Sequence, residues 1–264
     1  MPDYPHLLVE TTADGVRTIT LDRPDKLNAV NGALAVSLSS AVADAATEDA
    51  VRVVVITGAG RAFCAGLDLS EPPSLPSATR SERLDPYAWV GTWVRTIVSC
   101  EKPVVAAVNG AAAGAGFGLA LACDVRLVAE SARLTGGYVR RGLSPDAGVS
   151  WFLPRHVGLA RAADILLTGR DVDAAEAERI GLSAQTIPDA NFADDVRAFA
   201  SRLAAGAPVA QALTKRLLAR SLDTPLEAAL RDELVYIKQC FATADVGEAI
   251  AAFREKRRPT FRGV

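Results

Sequence analysis

The 264-residue chain has few of the side chains that build metal and disulfide sites. Its only histidines are His6 and His156. Its four cysteines, Cys64, Cys100, Cys123 and Cys240, are widely spaced and form no CxxC pair. A zinc site is therefore not expected, and the cysteines read as reduced, mostly buried thiols of a cytoplasmic protein. An excess of charge is missing too. With 29 basic and 31 acidic residues the net charge is −2, which gives no overall pull toward nucleic acid or a membrane surface. Asp3, Glu10 and Asp14 interrupt the N-terminus, where no apolar core stands, so no secretory signal is expected. One uncharged run, residues 103–123, is long enough to cross a bilayer. It holds Pro103, an Asn-Gly turn and four glycines, and its bulk is alanine, so a buried strand, turn and helix is the better reading.

What is present is a half-apolar composition in a chain of single-domain size. "VRTITL" (16–21) and "VRVVVI" (51–56) are β-branched, strand-like runs. Between them Leu34, Leu38, Val42 and Ala45 recur at helical spacing. "PVVAAV" (103–108) leads through a glycine turn into the helix-like "GLALAC", and "DVRLVA" (124–129) reads as another strand. Strands too apolar to face water, alternating with helices, predict an α/β fold in which a strand–turn–helix unit recurs. The Pro- and Ser-rich stretch 71–86 reads as a mobile loop. After about Asn191 the strand signal stops and four helices follow, with Pro208 and Pro225 near helix starts. This divides the chain into a core over 1–194 and a helical, subunit-contacting region over 195–264.

The turn in "VVAAVNGAAAGAGFGLALACD" (104–124) admits several chemistries. Gly114 and Gly116 satisfy G-x-G, but the third glycine of a dinucleotide fingerprint would fall at Leu119, and no acidic residue stands about 20 positions on. A P-loop lacks its Lys-Ser/Thr pair. Small residues that only let a helix pack on a strand explain the segment taken alone. A second segment, "TGAGRAFCAGLDLS" (57–70), also follows an apolar strand and also places small residues, Ala65-Gly66, at a turn. Two strand-end turns, each offering a backbone N–H, suit a single carbonyl oxygen, an oxyanion hole.

"RAFCAGLDL", "KPVVAAVNGAAAGAGFGLALACDVRLVA" and "GLSPDAGVSWFLPRHVG", with "DRPDKLNAV" before them and "AFREKRRPTF" at the end, resemble the enoyl-CoA hydratase/isomerase (crotonase) superfamily over nearly the whole chain. The resemblance implies a spiral of repeated ββα units with a C-terminal helical trimerisation region. It also implies an acyl-CoA thioester substrate and a homotrimer or dimer of trimers. No cofactor is expected beyond the coenzyme A of the substrate itself, and no nucleic acid or membrane partner. The matching positions make Leu67 and Ala115 the oxyanion donors. They place coenzyme A and its acyl group near Lys26, Leu27, Ala29, Ala65, Gly66, Asp68, Leu69 and Gly114, with Phe253 and Lys256 approaching from the C-terminus. The family usually carries glycine where Ala115 stands, so a methyl has to be accepted there.

The departures are informative. Hydratases of the family hold water with two glutamates, whose positions are Gly118 and Tyr138 here. The G-L-x-P-D motif instead places Asp146 where family isomerases, among them those of phenylacetyl-CoA breakdown, carry a catalytic aspartate. An α-proton beside a thioester becomes removable once the enolate oxygen is held, and one carboxylate can move it from carbon to carbon. Partial burial would tune such an aspartate upward. Asp146 also has the chemistry of an N-cap for the helix that follows. Tyr138 is a candidate pocket hydroxyl. Cys64 and His156 read as packing and helix-end residues, while Trp89, Trp93, Trp151 and Phe152 line either the acyl pocket or the core. An isomerase using Asp146 is the first expectation. A hydratase with atypical water activation is the second, and an acyl-CoA-binding protein without turnover the third.

Overall fold

The computed structural model describes residues 3–70, 80, 84, 87 and 90–264. The stretch 71–86, apart from Arg80 and Leu84, and Trp89 lie outside the described residues. Among the described residues ten strands form two sheets. The larger has the order β1-β2-β3-β5-β7-β10, built from Leu7–Thr11, Val16–Leu21, Val53–Gly58, Val104–Val108, Val125–Ala129 and Gln185–Ile187. The pair β1–β2 is antiparallel and the remaining four pairs are parallel. The smaller sheet has the order β4-β6-β8-β9, from Ala62–Cys64, Ala111–Ala113, Arg133–Thr135 and Asp171–Asp173.

The units after β2 are the ββα units that the resemblance implied. A strand of the large sheet hands over to a short strand of the small sheet and then to a helix. β3 and β4 lead to α2 (Val90–Ser99), β5 and β6 to α3 (Ala115–Ala122), and β7 and β8 to α4 (Val149–Val157). The long strands were legible because they are buried on both faces. Val54, Ile56, Val104, Ala106 and Val128 face a core shared with α1 (Gly32–Thr47), α2 and α3. Val53, Val55, Val105, Ala107 and Leu127 face α7 (Phe192–Ala204) through Val196, Ala200 and Ala204. Burying one such side chain stabilises the fold by about 1.5–3 kcal/mol. Helix α1 starts where Asn31 accepts a bond from Leu34 N–H at 3.0 Å, an ordinary N-cap.

After β10 the chain is helical: α7, then α8 (Pro208–Arg220), α9 (Leu226–Phe241) and α10 (Ala244–Glu255), preceded in the core by α5 (Leu159–Thr168) and α6 (Ala174–Arg179). Residue 195 falls inside α7, the helix that covers the sheet. Helix α9 buries none of its residues, and Leu226, Leu230, Leu234, Ile237 and Phe241 leave an apolar stripe exposed at helical spacing. Among the described residues no helix is long and apolar enough to cross a membrane.

Asn28 ties the strap before α1 to both sheets. It is fully buried and left-handed (φ +57°). Its Oδ1 accepts from Arg23 N–H at 2.9 Å, and its Nδ2 donates to the carbonyls of Ala59 (2.9 Å) and Ala62 (2.8 Å). Asn28→Ala leaves these groups without their partner and puts alanine in a left-handed site. The expected loss is about 2–4 kcal/mol in denaturant unfolding; a loss below 0.5 kcal/mol would show that the strap is held elsewhere.

Candidate active site

Two turns at the tops of β4 and β6 come together. Val30 N–H donates to Gly66 C=O at 2.7 Å, and Asp68 N–H donates to Val30 C=O at 3.0 Å, so Leu67 forms a one-residue parallel bridge with Val30. Gly66 C=O and Leu67 N–H belong to one trans peptide and point in opposite directions. With the carbonyl fixed on Val30, the Leu67 N–H is aimed away from the strap. The same logic holds at the second turn. Gly114 C=O accepts from Gly118 N–H at 3.0 Å inside α3, so the Ala115 N–H of the same peptide leaves the helix N-terminus. Among the described residues no hydrogen bond takes up either N–H.

Glycine makes the close approach possible. Gly66 has φ +91°, and a Cβ there would lie 2.6 Å from Ala113 O and 3.4 Å from Ala115 N. Gly114 has φ +52° and ψ −122°, and a Cβ there would stand 4.0 Å from Gly66 Cα and 3.9 Å from the Tyr138 ring. Ala115 is buried and outside the left-handed region, so its methyl is accommodated without backbone strain.

Tyr138, on the short 3-10 turn Gly137–Arg141, is buried and donates its hydroxyl to Asp146 Oδ1 at 2.7 Å. Asp146 is half-buried. Burial pushes its carboxyl above the ordinary aspartate value, and the Tyr138 hydroxyl offsets part of that rise. Burial and the neighbouring carboxylate push the Tyr138 phenol up, so it remains a neutral donor. The capping alternative does not match the structure. Helix α4 has Gly148 at its N-cap with no side-chain capping bond, and only the backbone carbonyl of Asp146 is used, by Val149 N–H at 3.0 Å.

The turn carrying Asp146 also closes the first of the two missing-glutamate positions. Ala147 is held at φ +48° against α3, and a Cβ on Gly118 would lie 2.4 Å from Ala147 Cβ and 2.7 Å from its carbonyl oxygen. No longer side chain fits at 118 unless this turn moves. The other position, Tyr138, is occupied by the partner of Asp146.

The remaining sequence candidates spread around these turns. Lys26 is exposed and reaches Ser70 Oγ at 3.1 Å. Leu27 is half-buried at φ +53°, and its carbonyl accepts from Ala65 N–H at 3.0 Å. Ala29 is buried, Ala65 half-buried and Leu69 exposed. Asp68 turns its carboxylate inward onto Arg23, at 2.8 Å, so what it offers a ligand is backbone. Phe253, 86% exposed, and Lys256, the left-handed C-cap of α10, stand on the surface. Neighbouring Arg257 is taken by Glu248 and Glu255. Cys64 is buried, and burial pushes its thiol up to about 12, which makes it an inert packing group. His156 lies in the last turn of α4, where burial and then Arg126 lower its pKa to about 4. Trp93 is core, whereas Trp151 is half-exposed under the guanidinium of Arg155.

Sequence reasoning missed the pairing of Tyr138 with Asp146. Eight residues separate them, and the contact depends on a 3-10 turn without hydrophobic period. It also missed Arg23, visible beforehand only as one letter of "DRPDKLNAV".

Among the described residues the Leu67 and Ala115 amides take part in no hydrogen bond, and Tyr138, which holds Asp146, stands against the second of these two turns. The family model described as enoyl-CoA hydratase/isomerase matches residues 11–264, and the chain belongs to that family. A protein named probable enoyl-CoA hydratase from Rhodobacter capsulatus is 42% identical over 98% of both chains. The 1,2-epoxyphenylacetyl-CoA isomerase of Escherichia coli K12 is 35% identical over 94% of this chain and 95% of its own. The crystal structure of an enoyl-CoA hydratase from Bacillus anthracis superposes with a TM-score of 0.91 at 32% identity, over 98% of this chain and all of the other. The fold is the crotonase fold of these structures.

Proposed function

We propose that this chain is an acyl-CoA isomerase that moves a proton with Asp146 while the N–H groups of Leu67 and Ala115 hold the thioester oxygen. The observation that carries this reading is the Asp146 turn itself. It supplies a raised carboxylate held by Tyr138, whose ring faces Gly114, and occupies the space at Gly118 where a hydratase carboxylate would start. The ionised Asp146 takes an α-proton, and the electron pair moves onto the thioester oxygen as an enolate. The protonated Asp146 then returns the proton to another carbon as the double bond shifts. Proton transfer of this kind is worth about 10²–10⁴-fold, and each oxyanion donor about 3–4 kcal/mol. Coenzyme A lies along Lys26, Leu27, Ala29 and the turn Ala65–Leu69, with Phe253 and Lys256 at its phosphates. No cofactor beyond the substrate is required, and the free cysteines suit the cytoplasm.

A hydratase is the second reading, and the name of the Rhodobacter relative favours it. A panel of 3-enoyl- and 2-enoyl-CoA thioesters, with products identified by mass and absorbance, separates the two. Double-bond migration without gain of water supports the isomerase, and rapid addition of water to 2-enoyl-CoA contradicts it. No turnover would leave an acyl-CoA-binding protein.

Tyr138→Phe gives a signed pH test. The Tyr138 hydroxyl lowers the Asp146 pKa, so its removal raises that pKa further. The acid limb of the rate profile, already above an ordinary aspartate's, should move to higher pH. The maximal rate should fall about tenfold, the worth of one such bond. An unmoved limb means that Asp146 is not the titrating base.

The exposed stripe on α9 supports the reading that the helices after about residue 195 are the subunit-contacting region of a trimer or dimer of trimers. Sedimentation should show such a particle at micromolar concentration, and a monomer there contradicts this assembly.

A further inference from the structure

Arg23 and Asp68 form an ion pair whose side chains are 8% and 4% exposed, while Asp25 and Lys26 of the same turn are exposed. Buried ion pairs contribute little net stability, because desolvation offsets the attraction. Their geometry is what distinguishes them. Arg23 forks between Asp68 Oδ2 and the carbonyl of Ala29, a two-point grip that its planar guanidinium suits. The other oxygen, Asp68 Oδ1, accepts from Ser70 N–H at 3.0 Å and Ser70 Oγ at 2.6 Å. The hydrogen bonds from Ser70 and Arg23 hold the carboxyl low, at about 2, so it is ionised throughout the working range. The grip therefore spans residues 29 and 68, which flank the bridge between Val30 and Leu67. That bridge fixes the peptide plane 66–67, and the plane aims the Leu67 N–H.

We propose that the Arg23–Asp68 pair is a positioning device that sets the direction of the Leu67 N–H, and that it acts on turnover rather than on coenzyme A binding. This rests on the functional reading above, in which that N–H faces the thioester oxygen. Loss of the pair lets the peptide plane rock. Affinity for the coenzyme A moiety, which is held along a longer surface, barely changes.

The test replaces both partners with apolar residues, Arg23→Met with Asp68→Leu, so that no buried charge is left alone. Arg23→Lys serves as the conservative variant. Asp68→Asn, which keeps the side-chain shape, replaces the double variant if that variant fails to fold by near-ultraviolet circular dichroism. Three quantities are read: turnover, coenzyme A affinity by calorimetry, and the red shift of a bound cinnamoyl-type CoA thioester with an electron-donating ring, which reports polarisation of its carbonyl. Turnover should fall about 10–100-fold, at or below the loss of one oxyanion donor. The red shift should shrink by roughly half in the same comparison, and affinity should stay within about threefold. Arg23→Lys should restore part of both. A folded variant with the wild-type red shift and turnover overturns the positioning role alone. Affinity and turnover falling together, with the red shift of the bound ligand intact, also overturns it and makes the pair structural. Wild-type protein that produces no red shift overturns the oxyanion reading, and the positioning role with it.

Discussion

Under the proposed mechanism, Ala115→Pro is expected to lower turnover about 10²–10³-fold, because it removes an N–H that holds the thioester oxygen, while leaving coenzyme A affinity within a few-fold, because the proposed coenzyme A surface along Lys26–Ala29 and Ala65–Leu69 keeps its groups. The site is unusually suited to this substitution. Ala115 is the first residue of α3, where proline's fixed φ is tolerated and the N–H makes no intrahelical bond. Gly114 before it has no Cβ to clash with the new ring. Folding is checked by circular dichroism and affinity by calorimetry. Turnover within threefold of wild type would show that the Ala115 N–H does not face the reacting oxygen.

The ease of reading this chain followed burial. β2, β3, β5 and β7 are buried on both faces or nearly so, and their continuous β-branched or apolar runs announced them, with ends displaced by two residues at β3. The small sheet could not be read from the residues themselves and was expected only from the resemblance. β4, β6, β8 and β9 are three residues each, too short to show a period of two, and they exist because neighbouring turns stack on one another. β1 was missed because it is a half-exposed edge strand with a mixed face.

The site divides in the same way. Gly66 and Gly114 were legible as turn residues, and their left-handed backbones explain why glycine stands there. Which amide each turn presents came from resemblance, and the peptide-plane argument supplied the direction only once Gly66 C=O was seen on Val30 and Gly114 C=O on Gly118. Asp146 illustrates the limit of composition. An aspartate before a helix reads equally as a cap or a base, and what speaks against the cap is a tyrosine eight residues upstream that takes the carboxylate and a glycine at the N-cap. The steric closure at Gly118 by Ala147 lay beyond any reading of the sequence, since it joins two segments nearly thirty residues apart.

The central claim is that Asp146 carries the proton, and its stability linkage sharpens the test. Its folded-state pKa is raised above the unfolded value, so its contribution to stability is fully present below the unfolded pKa and is lost as pH rises through the folded pKa. Above the folded pKa the ionised form is a burden on the fold. Asp146→Asn, which can still accept from Tyr138, should therefore leave the melting temperature unchanged or slightly higher, where loss of a capping side chain would lower it, at a cost of about 1 kcal/mol in stability. The decisive measurement follows exchange of the α-protons of a bound acyl-CoA with deuterated solvent, by mass spectrometry, in wild type and Asp146→Asn. The account predicts rapid exchange in wild type, and in the variant a rate lower by about 10²–10⁴-fold with acyl-CoA binding intact. Exchange at the wild-type rate in a folded Asp146→Asn protein would contradict it.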